Sequence, residues 1–252
     1  MWRLFQPDPR TKPPELIDFI RQLHPKHCGF ELIRIGAERD GGYLVPNDLD
    51  GLEYCFSPGV SFVAEFENQL GERGIHSFLA DYSVDAPPAM LKNFTFDKRY
   101  LGGNDQAPFW TLATWKDKYL KDYTGDLMLE MDIEGYEYES ILSTPDALLR
   151  QFRIMVIEFH DLHRLFDYLP FVILSGCFKR ILQYFHVVHI HPNSHAPIIR
   201  RGDIEIPSVM EFTFLNKRRA SQAALQTRFP HPLDAGNSRY LKPLPLPRCW
   251  YS

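Results

Sequence analysis

The sequence predicts an α/β chain, a mostly parallel sheet with helices on both faces. Three observations carry that expectation. Apolar runs with strand character alternate with stretches of helical spacing along most of the chain, and such alternation builds a parallel sheet covered by helices. One unit, LEYCFS (52–57), FVAEFENQLGERG (62–74) and IHSFLAD (75–81), has the size of a single β-α-β crossover. Acids and histidines gather at the ends of the strands, where ligands bind in such sheets.

Taken in order, the arm before Pro14 is proline-containing and irregular, and PELIDFIRQLH (14–24) places apolar residues at 16, 17, 20 and 23 on one helical face. FELIRIG (30–36) alternates as a strand, and Asp40-Gly41-Gly42 turns the chain into a second strand, YLV. The β-α-β unit follows, its helix spaced at 62, 63, 66 and 70 and stopped by Gly74. FTFDKRYLGG (94–103) reads as a strand with its exit turn, and LATWKDKYLKDY (112–123) as a helix. DLMLEMD (126–132) is a strand, with EGYEYESIL opening a helix directly behind it. RIMVIEFH (153–160), HVVHIHP (186–192) and SVMEFTFLN (208–216) are further strands. Between the first two lies a helical region that Pro170 should reset. The segment beyond Phe229 is proline-rich and wraps the surface. The chain divides into an arm and helix (1–30), a core (31–216) and a tail (217–252), all one domain.

Composition narrows the classes. Apolar residues make up 44% and charged residues 24% of the 252 residues, an ordinary globular balance. The formal net charge of −4 leaves no overall basic footprint for nucleic acid. Cys28, Cys55, Cys177 and Cys249 are too far apart for C-x-x-C chemistry, so the expectation is reduced thiols and a cytoplasmic location. No apolar signal region opens the chain and no run is long enough to span a membrane.

The strand ends supply the site candidates. They are Ser57-Pro58-Gly59, Asp81-Tyr82-Ser83, Asp132 with Glu134, Glu158-Phe159-His160 and His189-Ile190-His191-Pro192-Asn193. An acid at the position of Asp81 is suited to accept hydrogen bonds from a ribose diol, or to cap a turn. Asp132 and Glu134 are of no use to a hydrophobic strand, although either could cap the following helix. His160 beside Glu158 could be a satisfied core pair, and His189 and His191 alternate on one side of a strand at a spacing compatible with a metal.

These residues, in the order Asp40-Gly41-Gly42-Tyr43, Phe66-Glu67, Asp81, Met131-Asp132-Ile133-Glu134-Gly135, Glu158-Phe159-His160 and His189-Ile190-His191-Pro192-Asn193, carry a resemblance. The chain resembles the FkbM-like group of S-adenosylmethionine-dependent methyltransferases over about residues 34 to 216, and loosely at His231-Pro232-Leu233-Asp234. The resemblance implies a Rossmann-like class I methyltransferase fold, a seven-stranded sheet whose last strand, 208–216, is antiparallel. It implies O-methylation of a sugar hydroxyl on a small-molecule or glycan acceptor. By this similarity Asp40, Tyr43, Ser57, Gly59, Glu67, Asp81, Tyr100, Leu101 and Asp132 line the cofactor pocket. The usual D-x-G-x-x-x-G loop is replaced by Phe56-Ser57-Pro58-Gly59-Val60-Ser61-Phe62.

A sugar hydroxyl is a weak acid, so its proton must leave during attack, and a histidine is the efficient base. His160, oriented by Glu158 or Asp132, is the expected base, with His191 second. The alternative is a divalent ion, Mg or Mn, held by Asp132, Glu134 and His160. Phe109, Trp110, Trp115 and Tyr43 could stack on a sugar, and Asn104, Asn193 and Arg200-Arg201 could hold its hydroxyls or a phosphate. Two other classes remain open: a metal-dependent hydrolase, and a non-catalytic binding module that keeps the fold.

Overall fold

The computed structural model describes residues 9–60, 63–87 and 91–252. Seven strands form the central sheet: β1 (Tyr54–Pro58), β2 (His76–Ala80), β3 (Phe94–Asp97), β4 (Leu127–Met131), β5 (Phe152–Phe159), β6 (Phe185–Pro192) and β7 (Met210–Asn216). Their spatial order is β3-β2-β1-β4-β5-β7-β6. Every pairing is parallel except the two made by β7, which runs antiparallel between β5 and β6. This is the Rossmann-like class I methyltransferase topology, with the last strand inserted antiparallel as expected.

Both sheet faces are covered because the strands are apolar on both. On one face lie α1 (Pro13–Gln22), α3 (Leu112–Leu120), α4 (Glu137–Ser143), α5 (Asp146–Gln151) and α6 (Tyr168–Tyr184), which supply the largest core. Phe178 at its centre touches the rings of Phe19, Phe159 and Phe212. Each such buried side chain contributes roughly 1.5–3 kcal/mol. The other face carries α2 (Glu65–Glu72) and the hairpin Leu32–Gly36/Gly42–Pro46, packed on Cys55, Met128, Ile154, Val156 and Leu215.

Several boundaries differ from the sequence expectation, each for a local reason. The helix expected from 62 begins at Glu65, and Ser61 and Phe62 lie outside the described residues, as does most of the arm, residues 1–8. The helix expected straight after β4 is delayed to Glu137 because Glu134 and Gly135 have φ of 55° and 105°, values a right-handed helix excludes. Pro170 does not reset a helix. It sits in the first turn of α6, where its missing N–H costs nothing. His163–Phe166 belongs instead to a separate 3-10 turn, Leu162–Phe166. The four cysteines are free, and among the described residues no helix is long and apolar enough to cross a membrane.

Candidate active site

A cleft of about 490 Å3 opens at the carboxyl ends of β1, β2 and β4. It is lined by Asp40, Gly59, Asp81, Tyr100, Leu101, Asp132 and Glu134, seven of the residues expected from sequence to hold the cofactor or a metal, together with Ala80, Ser83, Phe109, Ile133 and Tyr136. The volume lies within the range of ligand pockets.

The floor is made by backbone packed against backbone. Gly59 N–H donates to the Ala80 carbonyl at 2.9 Å, and Asp132 N–H to the Pro58 carbonyl at 3.3 Å. Gly59 has φ +97°, and a Cβ there would stand 1.5 Å from the Asp132 carbonyl oxygen. Only glycine allows β1 and β4 to close up at this point. Asp81 directly follows β2 and accepts from the Ser83 amide and hydroxyl, both at 2.7 Å, which fixes its carboxylate at the rim. One wall is a run of rings: Tyr82 to Tyr100 at 5.2 Å, Tyr100 to Phe109 at 5.4 Å, and Phe109 to Tyr136 at 5.2 Å.

At the end of β4 the carboxylates converge on one imidazole. His160 Nδ1 lies 3.1 Å from Glu137 Oε1. Its Nε2 lies 3.3 Å from Glu134, 3.8 Å from Glu158 and 3.9 Å from Asp132. Burial works against the imidazolium, but the Glu137 hydrogen bond and charge, followed by Asp132 and Glu134, raise His160 to about 9. Burial lifts Asp132 to about 7, opposed by His160 and aided by Glu134 and Glu137. At neutral pH His160 is therefore a cation, and Asp132 is poised between acid and base.

Glu137 is the residue that sequence reasoning missed. It is fully buried, and its Oε1 accepts from the Ile133 amide at 3.2 Å and the Gly135 amide at 3.0 Å as well as facing His160. Orientation of His160 was expected from Glu158 or Asp132, but the Nδ1 partner is Glu137. A pointer was present: an acid in the first helical turn behind a glycine turn can reach back to the turn's amides. Glu158 is itself held by Asn193 Nδ2 at 2.9 Å. Asp132, Glu158 and His160 offer one ligand atom each within 4.8 Å of one another, whereas Glu134 is 84% exposed.

Three residues named for the pocket lie beneath it. Ser57, Glu67 and Tyr43 are buried. Ser57 Oγ is 2.7 Å from Glu130 Oε2 and is also hydrogen-bonded to Glu67, while Tyr43 hydrogen-bonds Glu130. A hydroxyl has one proton to donate, so one of the two carboxyls must donate in return. Glu130 suits that part, because burial and then the charge of Glu67 push it well above the carboxylate range.

His191 is brought together with His189 and Asp234, in a cluster separate from the one around His160. Of the residues considered for acceptor binding, Phe109 lines the cleft, while Trp115 is fully buried. Arg200 is paired to Glu205 at 3.2 Å and Arg201 to Asp167 at 3.3 Å.

No family model matches the chain and no curated protein matches it. Among solved structures it is similar to a chain of a fibrillarin/Nop5p complex, with 11% identity, coverage of 67% of this chain and 74% of that one, and a TM-score of 0.38. An rRNA methylase from Streptococcus thermophilus aligns at 8% identity over 82% of this chain and 97% of its own, TM-score 0.34. Magnesium protoporphyrin IX methyltransferase from Synechocystis PCC 6803, with bound SAH, aligns at 12% identity over 67% and 75%, TM-score 0.32.

Proposed function

We propose that the chain is an S-adenosylmethionine-dependent O-methyltransferase, similar to the FkbM-like group, that methylates a sugar hydroxyl of a glycan or glycoconjugate. The observation that carries this reading is the convergence of Gly59, Asp81 and Asp132 on one cleft at the carboxyl ends of β1, β2 and β4. The site fits the cofactor on three counts. Gly59 leaves no Cβ in the floor, Asp81 stands where an acid receives a ribose diol, and Tyr100 and Phe109 offer faces to an adenine. S-adenosylmethionine bound there supplies a methyl already activated on a sulfonium.

What remains for the protein is alignment and removal of one proton. Asp132, raised to about 7, accepts the hydroxyl proton. His160, cationic and fixed through Nδ1 by Glu137, holds Asp132 and Glu134 in place as a positioning residue. The base expected from sequence was His160, and its charge state favours this exchange of roles. A second reading, a divalent Mg or Mn ion at the same carboxylates and His160, draws support from Asp132 Oδ1, which is buried and has no hydrogen-bond partner among the described residues. Asp132, His160 and Glu134 or Glu158 would hold that ion, and it would lower the cost of charge on the acceptor oxygen.

The test is calorimetric titration of S-adenosylhomocysteine into the wild type and Asp81→Ala, each with and without EDTA. Binding in the wild type, weakened at least about ten-fold in Asp81→Ala, is expected for loss of a charged hydrogen-bond acceptor. Absence of binding in the wild type would exclude an active transferase and return the choice to the hydrolase or the binding module.

A further inference from the structure

His189, His191 and Asp234 meet away from the cleft, at the edge strand β6. His189 and His191 project from the same side of the strand, and Asp234 approaches from the tail. A turn holds the acid in place: Asp234 N–H donates to the His231 carbonyl at 2.9 Å, and Asp234 Oδ2 accepts the His231 amide at 2.8 Å. Its Oδ1 is left to face the imidazoles, 2.9 Å from His189 Nε2 and 3.8 Å from His191 Nδ1. The side chains are 4%, 10% and 8% exposed. Phe229 stacks over the His189 ring at 6.1 Å and an interplanar angle of 27°.

An ion pair alone does not account for this arrangement. Buried imidazole nitrogens are normally hydrogen-bonded. Among the described residues, however, neither nitrogen of His189 has a hydrogen-bond partner, and His191 Nε2, the nitrogen other than the one nearest Asp234, has none either. The 2.9 Å contact is close enough for a hydrogen bond, so the carboxylate oxygen must stand off the N–H axis. Donor atoms that are near one another but not aimed at one another are what a shared ion requires. Ligands about 2.0–2.1 Å from a tetrahedral zinc stand about 3.3 Å apart, between the two separations seen here. Two imidazoles with one carboxylate suit zinc, iron or nickel rather than magnesium or calcium.

We propose that His189, His191 and Asp234 form a site for a zinc-like divalent transition ion, which clasps the tail to the edge strand. The clasp reaches the cleft through Asn237, three residues beyond Asp234. The Asn237 carbonyl accepts the Asp40 amide at 3.3 Å, and its Nδ2 donates to Glu211 at 2.7 Å. Asp40 lines the cleft. The ion holds that wall from outside and takes no part in proton transfer, so the proposal stands whether or not the chain methylates anything.

The experiment strips the full chain with EDTA, then titrates Co(II), followed by visible absorption, and Zn(II), followed by chelator competition and melting. The wild type should bind with a tetrahedral Co(II) spectrum and melt at higher temperature with Zn(II). Asp234→Asn and His191→Gln should each lose more than about 100-fold in affinity, beyond the 10–100-fold typical of an outer-shell partner, while His160→Ala retains the spectrum. Circular dichroism of each stripped variant verifies folding. Two results overturn the proposal: no Co(II) or Zn(II) binding by the wild type, or binding that survives in folded Asp234→Asn and His191→Gln but disappears in His160→Ala.

Discussion

At the residue scale, Gly59 and Glu137 carry the site in opposite ways. Gly59 was legible in the sequence as the one glycine left in an altered loop, because a strand-to-helix turn beneath a cofactor needs close backbone approach. The added Cβ of Gly59→Ala would collide with the Asp132 carbonyl at 1.5 Å, so β1 and β4 must separate at the cleft floor. The expected outcome is loss of S-adenosylhomocysteine binding in calorimetry and a stability loss above about 1 kcal/mol in denaturant titration. The local pattern pointed only to Glu137's contact with the turn amides; its part in holding His160 was not legible, because that depends on a long-range neighbour that no local pattern shows. Glu137→Gln removes the charge that does most to raise His160. An NMR titration of His160 should then give a value well below about 9, moving toward its ordinary 6.5. An unchanged value would mean that Asp132 and Glu134 suffice.

At the scale of elements, the turn between β4 and α4 explains why a hydrophobic strand runs into acids. The strand delivers Asp132 to the rim, and Glu134-Gly135, both at positive φ, throws the chain away from it before the helix can start. The acidic stretch and its glycine were visible in sequence, but the helix was placed early because positive φ at a glutamate leaves no signature in residue type. Gly135 differs from Gly59 in what surrounds it. At φ +105° a side chain is strained, yet a Cβ there meets nothing within 4 Å. Gly135→Ala should therefore cost about 1–3 kcal/mol of stability from backbone strain alone. Calorimetry should find S-adenosylhomocysteine affinity largely retained in Gly135→Ala. Comparable loss of affinity in both variants would mean that the turn itself, rather than the β1–β4 approach, shapes the cleft.

At the scale of the whole molecule, the sheet topology was legible and the buried charge was not. Strand-helix alternation is a local, periodic signal. The row Glu67, Glu130, Asp132, Glu158 and Glu211 comes together only when three strands and α2 are stacked, with Glu158 opposite Glu211 on β7. Burial raises every one of these carboxyls, Glu67 and Glu211 to about 6 and Asp132 to about 7, with Glu130 and Glu158 well above their ordinary value. A raised carboxyl makes the folded chain hold a proton that the unfolded chain has released. Its contribution is complete below the unfolded value and is lost as pH rises through the folded one. His160 acts in the same sense at higher pH, its contribution complete below 6.5 and lost as pH passes about 9. Groups with lowered values oppose on the acid side: His186 as well as His189 among the imidazoles, and Asp85, Asp105, Asp126 and Asp146 as well as Asp234 among the carboxylates. Burial lowers His189, so stability falls as its imidazole is forced to charge below 6.5. Asp234 lies well below 3.8 because the close approach of the His189 and His191 imidazoles outweighs its burial, and its contribution is lost as pH drops below that value. The lowered carboxylates act below about pH 5, and between pH 5 and pH 9 the five raised carboxyls with His160 and His191 outnumber the two lowered imidazoles, so the EDTA-stripped protein should melt highest near pH 5 and progressively lower through pH 9, the reverse of a chain stabilised by ionised carboxylates. Glu130→Gln, neutral at every pH, should flatten the fall. Melting temperatures that hold level or rise from pH 6 to pH 9 would show that the row is neutralised in the folded chain by something other than its own protons.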